Sequence, residues 1–221
     1  MSQQRSNIAN AIGLTATGAV CGLAWAASLR AFMSGIAGHG SRYDWTNTFV
    51  GVLLPGLLTG AILGYAEFRR RTGGTGRWRR LALAPLSFLV VVFMPVPGPT
   101  GVLGEAATAL LVTAVAVAGG VAFGTVPPMW ARIVCGVVAG AAAAGLALVG
   151  ALSGERMLAV TEARGAYLAV LGASLLVVLY LAESIPFRRA VVVAEAVAHG
   201  EASAGGEASV AVTPVDTTDA R

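Results

Sequence analysis

Residues 67–80 read EFRRRTGGTGRWRR. Six arginines, Arg69, Arg70, Arg71, Arg77, Arg79 and Arg80, stand here between two long apolar runs. Soluble domains rarely flank so basic a loop with apolar sequence on both sides. Proteins that cross a bilayer do so routinely, because short cationic loops stay on the cytoplasmic side during insertion.

The whole chain agrees with a membrane class. Of 221 residues, 56% are hydrophobic and 12% charged, against about 25% charged in an average soluble domain. Apolar stretches of roughly 20 residues recur, the length of helix needed to cross about 30 Å of hydrocarbon. The net charge of +4 conceals an asymmetry. Residues 1–189 carry fourteen arginines against six acids, whereas residues 190–221 carry one arginine against five acids. A basic membrane body points to anionic lipid headgroups as partners and away from nucleic acid. Lysine is absent. Cys21 and Cys135 fall inside apolar runs without metal-type spacing, so both read as small packing residues.

The expected fold is an all-α polytopic transmembrane helix bundle with about six spans. They are placed at Ala11–Met33, Thr46–Ala66, Trp78–Met94, Glu105–Phe123, Met129–Leu152 and Arg164–Leu181. The third is the shortest, with Pro85 inside it and Pro95, Pro97 and Pro99 behind it. It either crosses or forms a re-entrant hairpin. Residues 1–189 make up the transmembrane domain. Residues 190–221 form a cytoplasmic tail: a short helix, then a small, polar, acidic stretch too poor in apolar groups to order itself.

Orientation follows from the arginines. With the N-terminus inside, cytoplasmic segments hold Arg5, the six of the loop, Arg132, Arg188 and Arg189; the outer face holds Arg30, Arg42, Arg156 and Arg164. That excess satisfies the positive-inside bias and puts both termini in the cytoplasm. A competing reading takes Arg5, the first apolar run and Ala24-Trp25-Ala26 as a cleaved signal peptide. It would leave five spans in the same orientation.

Glycines recur at four-residue spacing: Gly56, Gly60 and Gly64 in the second span, Gly18 and Gly22 in the first, Gly120 and Gly124 in the fourth, Gly136 and Gly140 in the fifth. Residues four apart share a helix face, and glycine lets another backbone approach closely. These faces serve packing within the bundle or, alternatively, homodimerisation. Pro55-Gly56 interrupts the second span, since proline removes a helix hydrogen bond. The break is either a packing kink or, as in transporters, an exposed backbone at a substrate site.

Candidates for chemistry are few. Glu67, Glu105 and Glu183 fall at span ends, and no proton-relay carboxylate is expected at mid-depth. Tyr43-Asp44 matches half of an aspartyl intramembrane protease pair and lacks the Gly-x-Gly-Asp half. Ser174 has no histidine in any span to act as its base. Gly74-x-Gly76 lacks the strand and third glycine of a dinucleotide loop. The densest polar group lies on the outer face, where Arg30, His39, Arg42, Tyr43, Asp44 and Glu105 gather. It reads as an interfacial anchor set or as a small site for a headgroup, sugar or anion. No catalytic residue, metal site or cofactor is expected.

The segments FVGVLLPGLLTGAILGYAEFRRRTGG (49–74) and WRRLALAPL (78–86) resemble small actinobacterial integral membrane proteins with no assigned activity. The resemblance implies a bacterial plasma membrane and carries over no functional residue. The leading expectation is a non-enzymatic accessory, scaffold or partner-binding component, as a homo-oligomer or with other membrane proteins. A small transporter or channel is the alternative, and a membrane enzyme at the outer face ranks third.

Overall fold

Apolar side chains on every face of a helix need a surrounding that is itself apolar, and here they dictate helices throughout. The structure is a computed structural model that describes residues 2–37, 45–72, 76–93, 101–153 and 156–189. The described residues form an all-α bundle without strands. Helix α1 (Ser2–Ala37) is followed by α2 (Leu54–Arg71), which continues from a π-wound stretch, Thr46–Leu53. A 3-10 helix covers Gly76–Phe93; then come α3 (Gly101–Phe123), α4 (Met129–Leu152) and α5 (Ala163–Glu183). A short 3-10 turn, Ile185–Phe187, closes the described chain.

Among the described residues, five helices are long and apolar enough to span a membrane: Asn7–Ala37, Thr46–Arg71, Ala106–Phe123, Met129–Leu152 and Ala163–Glu183. The expected third span is the exception in kind. Its winding is 3-10 across Gly76–Phe93, with Pro85 inside. A 3-10 helix rises about 2.0 Å per residue, so the 13 residues past Arg80, 81–93, extend about 26 Å. Its apolar part, Arg80–Leu89, is shorter than the five long helices. Pro85 lies fully buried against its neighbours.

The elements alternate in direction. Asn7 and Asn10 of α1 lie by Phe68 and Arg71 of α2. The loop after α3 meets the end of α5, where Phe187 O accepts the N–H groups of Thr125 and Val126 at 3.0 Å each. At the opposite end, Arg164 Nη2 donates to Gly35 O at 2.8 Å, fastening the start of α5 to the end of α1. Asn7 and Arg189 therefore both lie at the end that carries Arg69–Arg71. The expected tail, residues 190–221, lies outside the described residues.

Glycine spacing determines the closest approach in the bundle. Gly18 and Gly22 of α1 lie against Gly56, Gly60 and Gly64 of α2; a methyl group on Gly60 would run into Gly18 O and lie 2.8 Å from the Gly22 Cα. Only backbones without side chains approach this closely, and dispersion plus weak Cα–H contacts then hold the pair. Gly119 and Gly120 of α3 likewise receive Tyr180 and Glu183 of α5. A cluster of Phe32, Leu158, Leu168 and Leu175 packs α1 against α5 at greater distance.

The two proline-bearing stretches face each other and are joined by side-chain hydrogen bonds. Ser87 Oγ donates to Pro55 O at 3.1 Å. The Thr59 hydroxyl lies 2.7 Å from Ser87 Oγ and 3.4 Å from Ala84 O. Hydroxyl groups inside the apolar layer thus find partners on the facing segment, and these bonds tie the two proline-bearing stretches together.

Candidate functional site

The arginine-bearing end is organised around Glu67. On a helix, residues three and four apart share a face, so Glu67 reaches both Arg70 and Arg71. Arg70 binds it through two parallel bonds, Nε to Oε2 and Nη2 to Oε1, each 2.7 Å. Arg71 Nε adds a third at 2.7 Å. Arg70 Nη1 also donates to Arg189 O at 3.1 Å, tying the end of α2 to the end of α5. One carboxylate serves two guanidiniums here, and the Arg71 side chain stays 58% exposed. Arg69 is half-buried and Arg80 exposed; Arg77 and Arg79 lie on the 3-10 helix, and their side chains are outside the described set.

Two cavities adjoin this cluster. The first is a crevice of about 270 Å³ between α1 and α2, roofed by Phe88 and by the end of α5. Its wall is almost wholly apolar because glycines 18, 22, 56, 60 and 64 contribute no side chains to it. Trp25 closes the deep end; its Nε1 donates to Leu175 O at 2.8 Å, and its ring meets Phe88 edge-on at 6.2 Å. The second cavity, about 360 Å³, shares Leu14 with the first and is lined by Asn7, Asn10, Phe68, Arg71 and Thr72.

A third feature escaped the sequence reading. Glu183 stands at the end of α5 by linear count, yet its side chain is fully buried. Both of its carboxyl oxygens, with Thr48 Oγ1, lack a hydrogen-bond partner among the described residues. Gly120 lets its backbone sit directly on α3, since a methyl there would meet Glu183 O at 2.5 Å. The pairing of Gly119-Gly120 with a span-end acid was the available signal; nothing in the sequence says which residue those glycines face.

Of the outer-face candidates, Arg30 is placed on α1 as a half-buried residue. His39, Arg42, Tyr43 and Asp44 lie outside the described residues, as does the side chain of Glu105. Among the described residues, no group of three or more His, Cys, Asp or Glu could hold a metal ion. Ser174 Oγ donates to Leu171 O at 2.8 Å within its own helix, as a packing serine does.

No protein-family model, curated protein or solved structure matches the chain.

Proposed function

We propose that the chain is a non-enzymatic, partner-binding component of the bacterial plasma membrane, with both termini in the cytoplasm. The observation that carries this reading is an unequal use of glycine. Glycine in a helix interior costs about 1 kcal/mol relative to alanine, and in a membrane it gives a return only where another backbone comes close. Gly18 and Gly22 of α1 meet Gly56, Gly60 and Gly64 of α2, and Gly119 and Gly120 of α3 meet α5. On α4, a methyl at Gly140 or Gly145 would meet nothing within 4 Å. Val137, Gly140, Ala141, Ala144 and Leu148 share one exposed face of α4. A second transmembrane helix, from another copy or from a different protein, fits such a face. In-membrane crosslinking from a cysteine at Ala144 tests it: wild type gives a discrete adduct and Gly140→Leu loses it. An adduct unchanged by Gly140→Leu would remove α4 as the docking face.

A small transporter is the second reading, and the buried Glu183 favours it. Ionisable groups without partners inside a bundle are uncommon and usually functional. Reconstituted in vesicles with an internal pH dye, wild type would then pass protons faster than Glu183→Gln. Equal rates would end that reading.

A further inference from the structure

We propose that the crevice over the α1–α2 seam, walled by Phe88 and the end of α5, is a site for one anionic phospholipid of the leaflet on the arginine side, with an acyl chain in the apolar crevice and the phosphate in the adjoining polar pocket. The site goes beyond the partner-binding reading; it rests on the membrane placement alone and not on any use of α4.

Length is the first ground. The crevice runs from Trp25 to Leu14 along α1 and from Gly56 to Glu67 along α2. Eleven residues of helix rise about 16 Å, close to half of a hydrocarbon core about 30 Å thick. The crevice therefore matches the depth of one leaflet, and Trp25, anchored to Leu175 O, forms its floor. Access is the second ground. Thr17 and Cys21, both exposed, line its rim. The opening is lateral, on the side where bilayer lipid would lie.

Polarity changes where a lipid's polarity changes. At Leu14 the apolar wall gives way to the pocket bearing Asn7, Asn10, Arg71 and Thr72. These groups supply amide, guanidinium and hydroxyl donors. Arg71 uses Nε on Glu67, and its two terminal nitrogens remain for phosphate oxygens. Among the described residues, Glu67 is the one acid that lines either cavity, and Arg70 and Arg71 both hold it. With Arg69, Arg188 and Arg189 at the same end, the excess of charge is positive and selects an anionic headgroup over a zwitterionic one.

Cys21 on the rim serves as the reporter. In the full chain with Cys135→Ser, purified in mild detergent, the rate of maleimide labelling at Cys21 is followed during addition of phosphatidylglycerol, phosphatidylethanolamine or inorganic phosphate. Phosphatidylglycerol is expected to slow labelling several-fold, and the other two to leave it unchanged. Arg71→Gln alters an exposed side chain and should weaken phosphatidylglycerol protection about tenfold, the worth of one charged hydrogen bond. Native mass spectrometry should find one retained anionic lipid on wild type and less on Arg71→Gln. Equal protection by both lipids would overturn the headgroup assignment. Protection by inorganic phosphate alone would replace the lipid with a free anion. No protection by any of the three would leave the crevice without a lipid, whatever the outcome at α4.

Discussion

The indole Nε1 of Trp25 donates a hydrogen bond to the main-chain carbonyl of Leu175 at 2.8 Å, joining residues 150 positions apart. The bond crosses the bundle from α1 to α5 inside an apolar layer, where no water competes for either partner. Trp25→Phe keeps an aromatic ring against Phe88 and removes the donor. The expected cost is about 1 kcal/mol, or a fall of a few degrees in Tm, measured by thermal unfolding in detergent. An unchanged Tm would show that α1 is held by its glycine contacts alone.

Gly60 and Gly140 should respond to alanine with opposite signs. At Gly60 the added methyl meets the backbone of α1, which cannot turn aside as a flexible side chain would. Overpacking of that kind costs about 1–3 kcal/mol. At Gly140 the methyl enters open space and raises helix propensity by up to about 1 kcal/mol. Unfolding of the two variants in the same detergent measures the difference directly. Equal shifts would contradict the α1–α2 packing.

Much of this architecture was legible along the chain, for physical reasons that also mark where it stops. Span length, arginine distribution and four-residue glycine spacing are one-dimensional signals, and a bilayer converts them directly into helices and closely approaching faces. The pairing of Glu67 with Arg70 and Arg71 follows from helix periodicity in the same way. Two features depended on information the sequence does not hold. The 3-10 winding of Gly76–Phe93 lengthens a segment that residue counting makes marginal. Counting puts Glu183 at a span boundary, but depth along a helix does not say what packs on it; the close approach of Gly120 on α3 does that. His39, Arg42, Tyr43 and Asp44, expected to gather on the outer face, lie outside the described residues.

The arginine end makes a prediction about topology. Thr72 is exposed just beyond α2. With Cys21 and Cys135 replaced, a cysteine at Thr72 should react with an impermeant maleimide in inside-out vesicles and be protected in right-side-out ones. Replacing Arg69, Arg70 and Arg71 together with glutamine removes half of the loop's positive charge and should let a fraction of molecules react from the outer side. If accessibility stays unchanged, Arg77, Arg79 and Arg80 suffice to hold the loop inside.

Gly120 makes the last prediction, because it controls whether Glu183 stays covered. A methyl on Gly120 would lie 2.5 Å from Glu183 O and 3.0 Å from its Cβ, so Gly120→Ala must push the end of α5 away from α3. The bonds from Thr125 and Val126 to Phe187 O lie on the same seam and should weaken with it. The expected loss is about 1–3 kcal/mol of stability, accompanied by entry of water to a carboxyl that is otherwise sealed. A water-soluble carbodiimide with an amine nucleophile, followed by peptide mass spectrometry, reads that entry. Wild-type Glu183 should remain unmodified in the folded protein while exposed Glu162 reacts, and Gly120→Ala should add a label at Glu183. Labelling of wild-type Glu183 at the rate of Glu162 would mean that the turn over α3 opens freely, and that Gly120 does not seal it.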